Sequence, residues 1–203
     1  GSEVASNIYL DQDADDILNM EGLGTGANLG IYVPLACEAC ARGLADEVWF
    51  MVSPQNPHKQ DRLLTDENLR LRMVQLAVKE NPVFKACDFE FALPRPSYTR
   101  NTLAALERQY PERSFRLLIG ADNWEKFDRW YKGDEILERY GVIVYPRGGE
   151  DVPGLPANAV WMPAELYDIS TTMIREAVAA GKEITGLVPA EVEQFINENR
   201  LYQ

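Results

Sequence analysis

The chain has 203 residues, 46% of them apolar and 26% charged, enough to close one hydrophobic core and too few to require two. Its 32 acidic against 20 basic side chains leave a net charge of −12, which argues against non-specific binding to nucleic acid or an anionic membrane, because both repel such a surface. No apolar run reaches the ~20 residues of a membrane span, and three cysteines do not make the even framework of a small secreted protein; a cytoplasmic location is expected.

Residues 1–203 read as one domain, with Gly1–Ser2 a cloning remnant and residues 1–6 a tag or unstructured lead. The first strand is expected over Asn7 to Leu10. Residues 11–32 form an atypical loop. Its acidic run, Asp11, Asp13, Asp15 and Asp16, lacks the glycine and the twelfth-position glutamate of a calcium loop and reads as solvated. Its end, GLGTGANLGI (22 to 31), has the glycine density that lets a backbone wrap phosphate, but no ionisable side chain. A helix is expected from Val33 to Arg42, carrying Cys37 and Cys40 as packed thiols, since no second pair completes a metal site.

Strand runs EVWFMV (47 to 52), FKACDFEF (84 to 91), FRLLIG (115 to 120), GVIVYP (141 to 146) and AVWM (159 to 162) follow. Helical patterns separate them: Thr65 to Glu80, with Leu69, Met73, Leu76 and Ala77 on one face, then Thr99 to Gln109 and Glu125 to Arg139. Strands alternating with helices of this length specify an α/β fold, a mostly parallel sheet covered on both faces, with ligands at the strands' carboxyl ends. Thr171 to Ala180 and Ala190 to Asn199 are two helices with no strand between them, and are expected to form a C-terminal helical cap.

Three stretches carry chemistry. SPQNPHKQDR (53 to 62) places His58, Lys59 and Arg62 after a strand, where ligand contact and a solvated charged loop are about equally supported. IGADNWEKFDRWY (119 to 131) ends a strand at Gly120, which permits close backbone approach. Asp122 just beyond it has the acceptor chemistry for ribose hydroxyls, and Trp124, Trp130 and Tyr131 suit either stacking or the core. DISTTMIR (168 to 175) opens a helix with Ser170, Thr171 and Thr172 and brings Arg175 within about one turn. That is an anion site, or else plain N-capping by Ser170.

Taken together, NPHK, PSYT, GAD, DRWY and ISTT-x-IR, in that order over residues 44 to 203, resemble the bacterial nicotinate-nucleotide adenylyltransferases. The resemblance implies a Rossmann-like nucleotidyltransferase fold that joins nicotinate mononucleotide to the AMP part of ATP, with Mg²⁺, giving deamido-NAD and pyrophosphate in NAD biosynthesis. By position it implies Ser170, Thr171 and Arg175 at the ATP phosphates and Gly120 and Asp122 near the adenosine ribose. Lys59 would reach phosphate and serve catalysis with Arg175, the Thr99 backbone would meet the nicotinate carboxylate, and Trp130 and Tyr131 would flank the pyridine ring. Arg147 is a weaker candidate for the same anionic site, and no protein-held metal is implied.

One departure stands out. Members of that family carry a GGTFNPPHxGH loop after the first strand, whose two histidines hold the ATP phosphates. Here the nearest echo is Asn28-Leu29-Gly30-Ile31, and His58 is the only histidine. Losing one preorganised donor to developing charge typically costs about 10²- to 10³-fold in rate, so the alternative is a catalytically impaired nucleotide-binding homologue. An oxidoreductase is disfavoured, because TGANLGI follows no strand and no tyrosine has lysine four positions on.

Overall fold

The computed structural model describes residues 7–9, 29–54, 66–95, 97–146, 152, 154–164 and 176–201. Six strands are present there: β1 (Asn7–Tyr9), β2 (Val48–Met51), β3 (Phe84–Cys87), β4 (Phe115–Gly120), β5 (Val142–Tyr145) and β6 (Ala159–Trp161). Every hydrogen-bonded pair is parallel, in the runs β1-β4-β5-β6 and β2-β3. β1 also runs beside β2. The strand order is therefore β3-β2-β1-β4-β5-β6, the doubly wound arrangement whose order reverses between β1 and β4.

Alternate residues of the central strands feed two separate cores. Val48 and Phe50 of β2, Leu118 of β4 and Ile143 and Tyr145 of β5 join Leu35, Ala39, Met73 and Val74 on one face. Trp49 and Met51, Leu117 and Ile119, and Val142 and Val144 join Leu103, Leu106 and Ile136 on the other. A strand buried on both sides needs apolar residues at every position, which is why these segments read as continuous runs.

The helices are α1 (Leu29–Ala41), α2 (Glu67–Val78), α3 (Thr99–Gln109), α4 (Ala121–Trp124), α5 (Gly133–Arg139) and α6 (Ala190–Glu198), with a further helical turn over 176–179. Helix α6 places Val192 and Ile196 in the first core beside α2, to which Lys79–Glu191 also ties it at 3.1 Å. The expected cap thus lies along the sheet face.

Four boundaries differ from expectation. Helix α1 starts at Leu29 and runs through Pro34, so residues 29–32 are helix and not loop. A proline is favoured at a helix's first position and costs a hydrogen bond further in, which made Val33 the natural start. Helix α2 is capped by Asp66, whose carboxylate accepts from the Asn68 and Leu69 amides, and it buries Arg70, Met73, Val74 and Val78, a face rotated from the one expected. Strand β3 stops at Cys87, and Phe89–Ala92 turns into a 3₁₀ helix. The single helix expected over 125–139 is instead a 3₁₀ turn at Phe127–Arg129 and α5, and the short α4 precedes them.

Candidate active site

Because the strands are parallel, the helices that follow them begin at the carboxyl edge of the sheet, and the switch point between β1 and β4 opens a crevice there. Gly120 ends β4 at this point, opposite Tyr145 of β5, and caps α4. Asp122 is the second residue of α4 and half-buried. Thr99, buried, is the first residue of α3. These two helix starts and the end of β4 bring Thr99, Gly120 and Asp122 to one edge. Lys59, Ser170, Thr171 and Arg175, together with His58, Arg62, Arg147 and the Gly22–Asn28 stretch, lie outside the described residues.

The aromatic pair divides. Tyr131 is 44% exposed, and its ring sits 4.8 Å from that of Tyr98. Trp130 is only 5% exposed and packs its ring 5.3 Å from Phe127 in the second core. Flanking a pyridine ring, as expected of both, fits Tyr131; Trp130 is turned inward because it fills the space between Phe127 and α5. Its Nε1 nevertheless has no hydrogen-bond partner among the described residues, nor has Ser97 Oγ beside Tyr98. Buried donors are rarely left so, and both belong to the segments whose motifs the sequence singled out.

A charged network fixes the start of α3 against the start of α5. Arg100 Nε donates to Glu135 Oε2 at 2.9 Å, and Lys132 Nζ reaches Glu135 Oε1 at 3.0 Å. Hydrogen bonds from Lys132 first and Arg100 second hold the Glu135 carboxyl below the usual carboxylate range. Lys132 adopts a left-handed conformation, φ 53°, to turn the chain into α5.

Below Thr99 lies a carboxyl that sequence reasoning missed. Glu90 is fully buried; Ser53 Oγ, just past β2, lies 2.7 Å from its Oε2, and Thr102 Oγ1 of α3 lies 2.7 Å from its Oε1. Burial pushes its pKa up to about 8, against a smaller downward pull from Thr102. The available signal was a lone carboxylate between Phe89 and Phe91; reading the segment as strand hid it. Tyr98 was missed as a contact although it lies within PSYT.

Comparison with known proteins places these features in a family. The cytidylyltransferase-like family matches residues 35–177. A relative from Bacteroides thetaiotaomicron, named "Probable nicotinate-nucleotide adenylyltransferase", is 44% identical over 169 residues, covering 82% of this chain and 84% of its own. One of the same name from Cytophaga hutchinsonii is 43% identical, covering 77% and 83%. The chain belongs to the nicotinate-nucleotide adenylyltransferase family.

The fold agrees with that family. The Plasmodium falciparum nicotinic acid mononucleotide adenylyltransferase complexed with NaAD superposes with a TM-score of 0.69 at 14% identity, covering 97% of both chains. Of the motifs singled out in the sequence, the described residues include Tyr98 and Thr99 of PSYT, Gly120 and Asp122 of GAD, and Trp130 and Tyr131 of DRWY. Among the described residues, no group of three or more His, Cys, Asp or Glu side chains is arranged to hold a metal, and no helix is long and apolar enough to cross a membrane.

Proposed function

We propose that the chain binds ATP as its Mg²⁺ complex and nicotinate mononucleotide across the carboxyl edge of the sheet, and transfers AMP between them. The mononucleotide's 5′-phosphate oxygen attacks the α-phosphorus of ATP; one P–O bond forms, the α–β P–O bond breaks, and deamido-NAD and pyrophosphate leave. Such transfers rest on positioning and charge stabilisation and need no covalent nucleophile from the protein. Lys59 and Arg175 offset substrate charge, with Ser170 and Thr171 at the ATP phosphates. Asp122 and Gly120 take the adenosine ribose, the Thr99 amide takes the nicotinate carboxylate, and Tyr131 covers the pyridine ring.

The observation that carries this reading is the contact between Tyr98 of PSYT and Tyr131 of DRWY, 33 residues apart, which brings the two motifs to one edge in a chain of this family. The −12 net charge is the reason two anionic substrates need these local cations. The test is deamido-NAD formation from ATP, Mg²⁺ and nicotinate mononucleotide, followed by chromatography at enzyme concentrations near those of substrate. Slow turnover with both ligands bound is expected, because His58 is the only histidine and the paired donors of the family loop are absent. Arg175→Ala is expected to weaken ATP binding far more than mononucleotide binding; equal losses would contradict the assignment.

A further inference from the structure

Glu90 takes no part in the transfer just described, yet it is fully buried and joins three elements: the end of β2 through Ser53, the 3₁₀ turn after β3, and α3 through Thr102. Thr102 Oγ1 lies 2.7 Å from Glu90 Oε1 and also 3.3 Å from the carbonyl oxygen of Tyr98. A hydroxyl has one proton to donate, so it serves one acceptor or the other. Which it serves depends on whether Glu90 carries a proton.

We propose that protonated Glu90 is a positioning residue that, through Thr102, fixes the Tyr98–Thr99 peptide so that its Thr99 N–H is the donor to the carboxylate of a pyridine mononucleotide. This rests on the functional reading above. With the proton on Oε1, Glu90 donates to Thr102 Oγ1, Ser53 Oγ donates to Glu90 Oε2, and the Thr102 hydroxyl is released to donate to Tyr98 O. That carbonyl already accepts from the Asn101 and Thr102 amides at 2.9 and 3.1 Å. In a trans peptide the N–H points opposite the C=O, so holding Tyr98 O into the helix aims the Thr99 N–H out of its amino end. An ionised Glu90 draws both hydroxyls to itself and removes the third bond from Tyr98 O.

The surroundings favour the neutral form. The charged groups on the elements around Glu90 are Asp88 on its own segment, Lys85 on β3, Glu67, Arg70 and Arg72 on α2, and Arg100, Glu107 and Arg108 on α3. None forms an ion pair with it among the described residues, and Arg100 is committed to Glu135 at 2.9 Å. Burial places its proton loss near pH 8.

The test follows the Thr99 backbone amide by ¹H–¹⁵N NMR from pH 6 to 10 in the wild type, Glu90→Gln and Thr102→Val, and measures calorimetric affinity for nicotinate mononucleotide and for ATP at pH 7 and 9. The wild-type Thr99 signal is expected to titrate with a midpoint near 8. Mononucleotide affinity should fall about threefold to tenfold over that range, the worth of one neutral hydrogen bond, while ATP affinity changes less. Glu90→Gln, whose amide reproduces the protonated carboxyl, should show neither change, and Thr102→Val should lose the Thr99 titration. A Thr99 signal that does not move, or moves equally in Glu90→Gln, overturns the relay. Titration with unchanged mononucleotide affinity overturns its link to the ligand. If the relay titrates as expected and the mononucleotide binds at no pH, the relay stands and the substrate reading falls.

Discussion

Trp130 and Tyr131 are neighbours in sequence and opposites in structure, 5% and 44% exposed. Trp130→Ala is expected to cost about 3–5 kcal/mol of stability, as for a large core aromatic. Tyr131→Ala should cost about 1 kcal/mol, the worth of its contact with Tyr98, and should weaken mononucleotide binding while sparing ATP. Urea unfolding and calorimetry on the two variants check this; a reversed pattern would exchange their roles. The motif made both rings visible, but hydrophobicity alone does not say which of two adjacent aromatics turns inward. That is settled by the turn at Lys132 and the packing against Phe127, both tertiary. Glu90 was illegible for the same reason: only the fold brings Ser53 and Thr102 to it.

At the scale of elements, the strands were legible because burial on both faces writes an unbroken apolar run, and every expected strand is present: β4 has its expected bounds, β2, β5 and β6 are one or two residues shorter, and β3 is four shorter. The segment 125–139 was not legible as two pieces. Its break depends on Gly133, where an added Cβ would lie 2.6 Å from the carbonyl oxygen of Phe127. Backbone cannot yield as a flexible side-chain tip does, so Gly133→Ala is expected to destabilise by about 1–3 kcal/mol, seen as a lower urea midpoint. It should also loosen the Lys132–Glu135–Arg100 network, because α5 starts at that residue. A neutral result would mean that the turn can open without loss. Helix α1 shows the converse limit: Pro34 marked a start that the chain overran by several residues.

For the whole molecule, Glu90 sets a pH dependence of known sign. Unfolded, its carboxyl ionises near ~4.3; folded, it holds its proton to about 8. Between these values the native state binds the extra proton, so stability falls as pH rises through this window and levels off above it. Glu107, held low by Arg139, and Glu135, held low by Lys132, act oppositely. What they contribute is present above the ordinary carboxylate pKa and lost as pH falls through their lowered values. The wild-type urea midpoint is therefore expected to decline from pH 5 to pH 8, and Glu90→Gln to decline less; parallel declines would place the titration elsewhere.

The strand order has a consequence for how the chain reaches this state. β1 is the middle of the sheet, and Asn7 pairs with Phe115, 108 residues further along. The two half-sheets, β2-β3 and β4-β5-β6, join only through it. During synthesis β1 is made before β4, and its hydrogen-bonded partner exists only once β2 and β3 and the helices after them have been made. Closing so long a loop is entropically slow, so the crevice between β1 and β4 is assembled late. Until then β2 and β4 each present an unpaired edge, the surface on which a chaperone or a second nascent copy would dock.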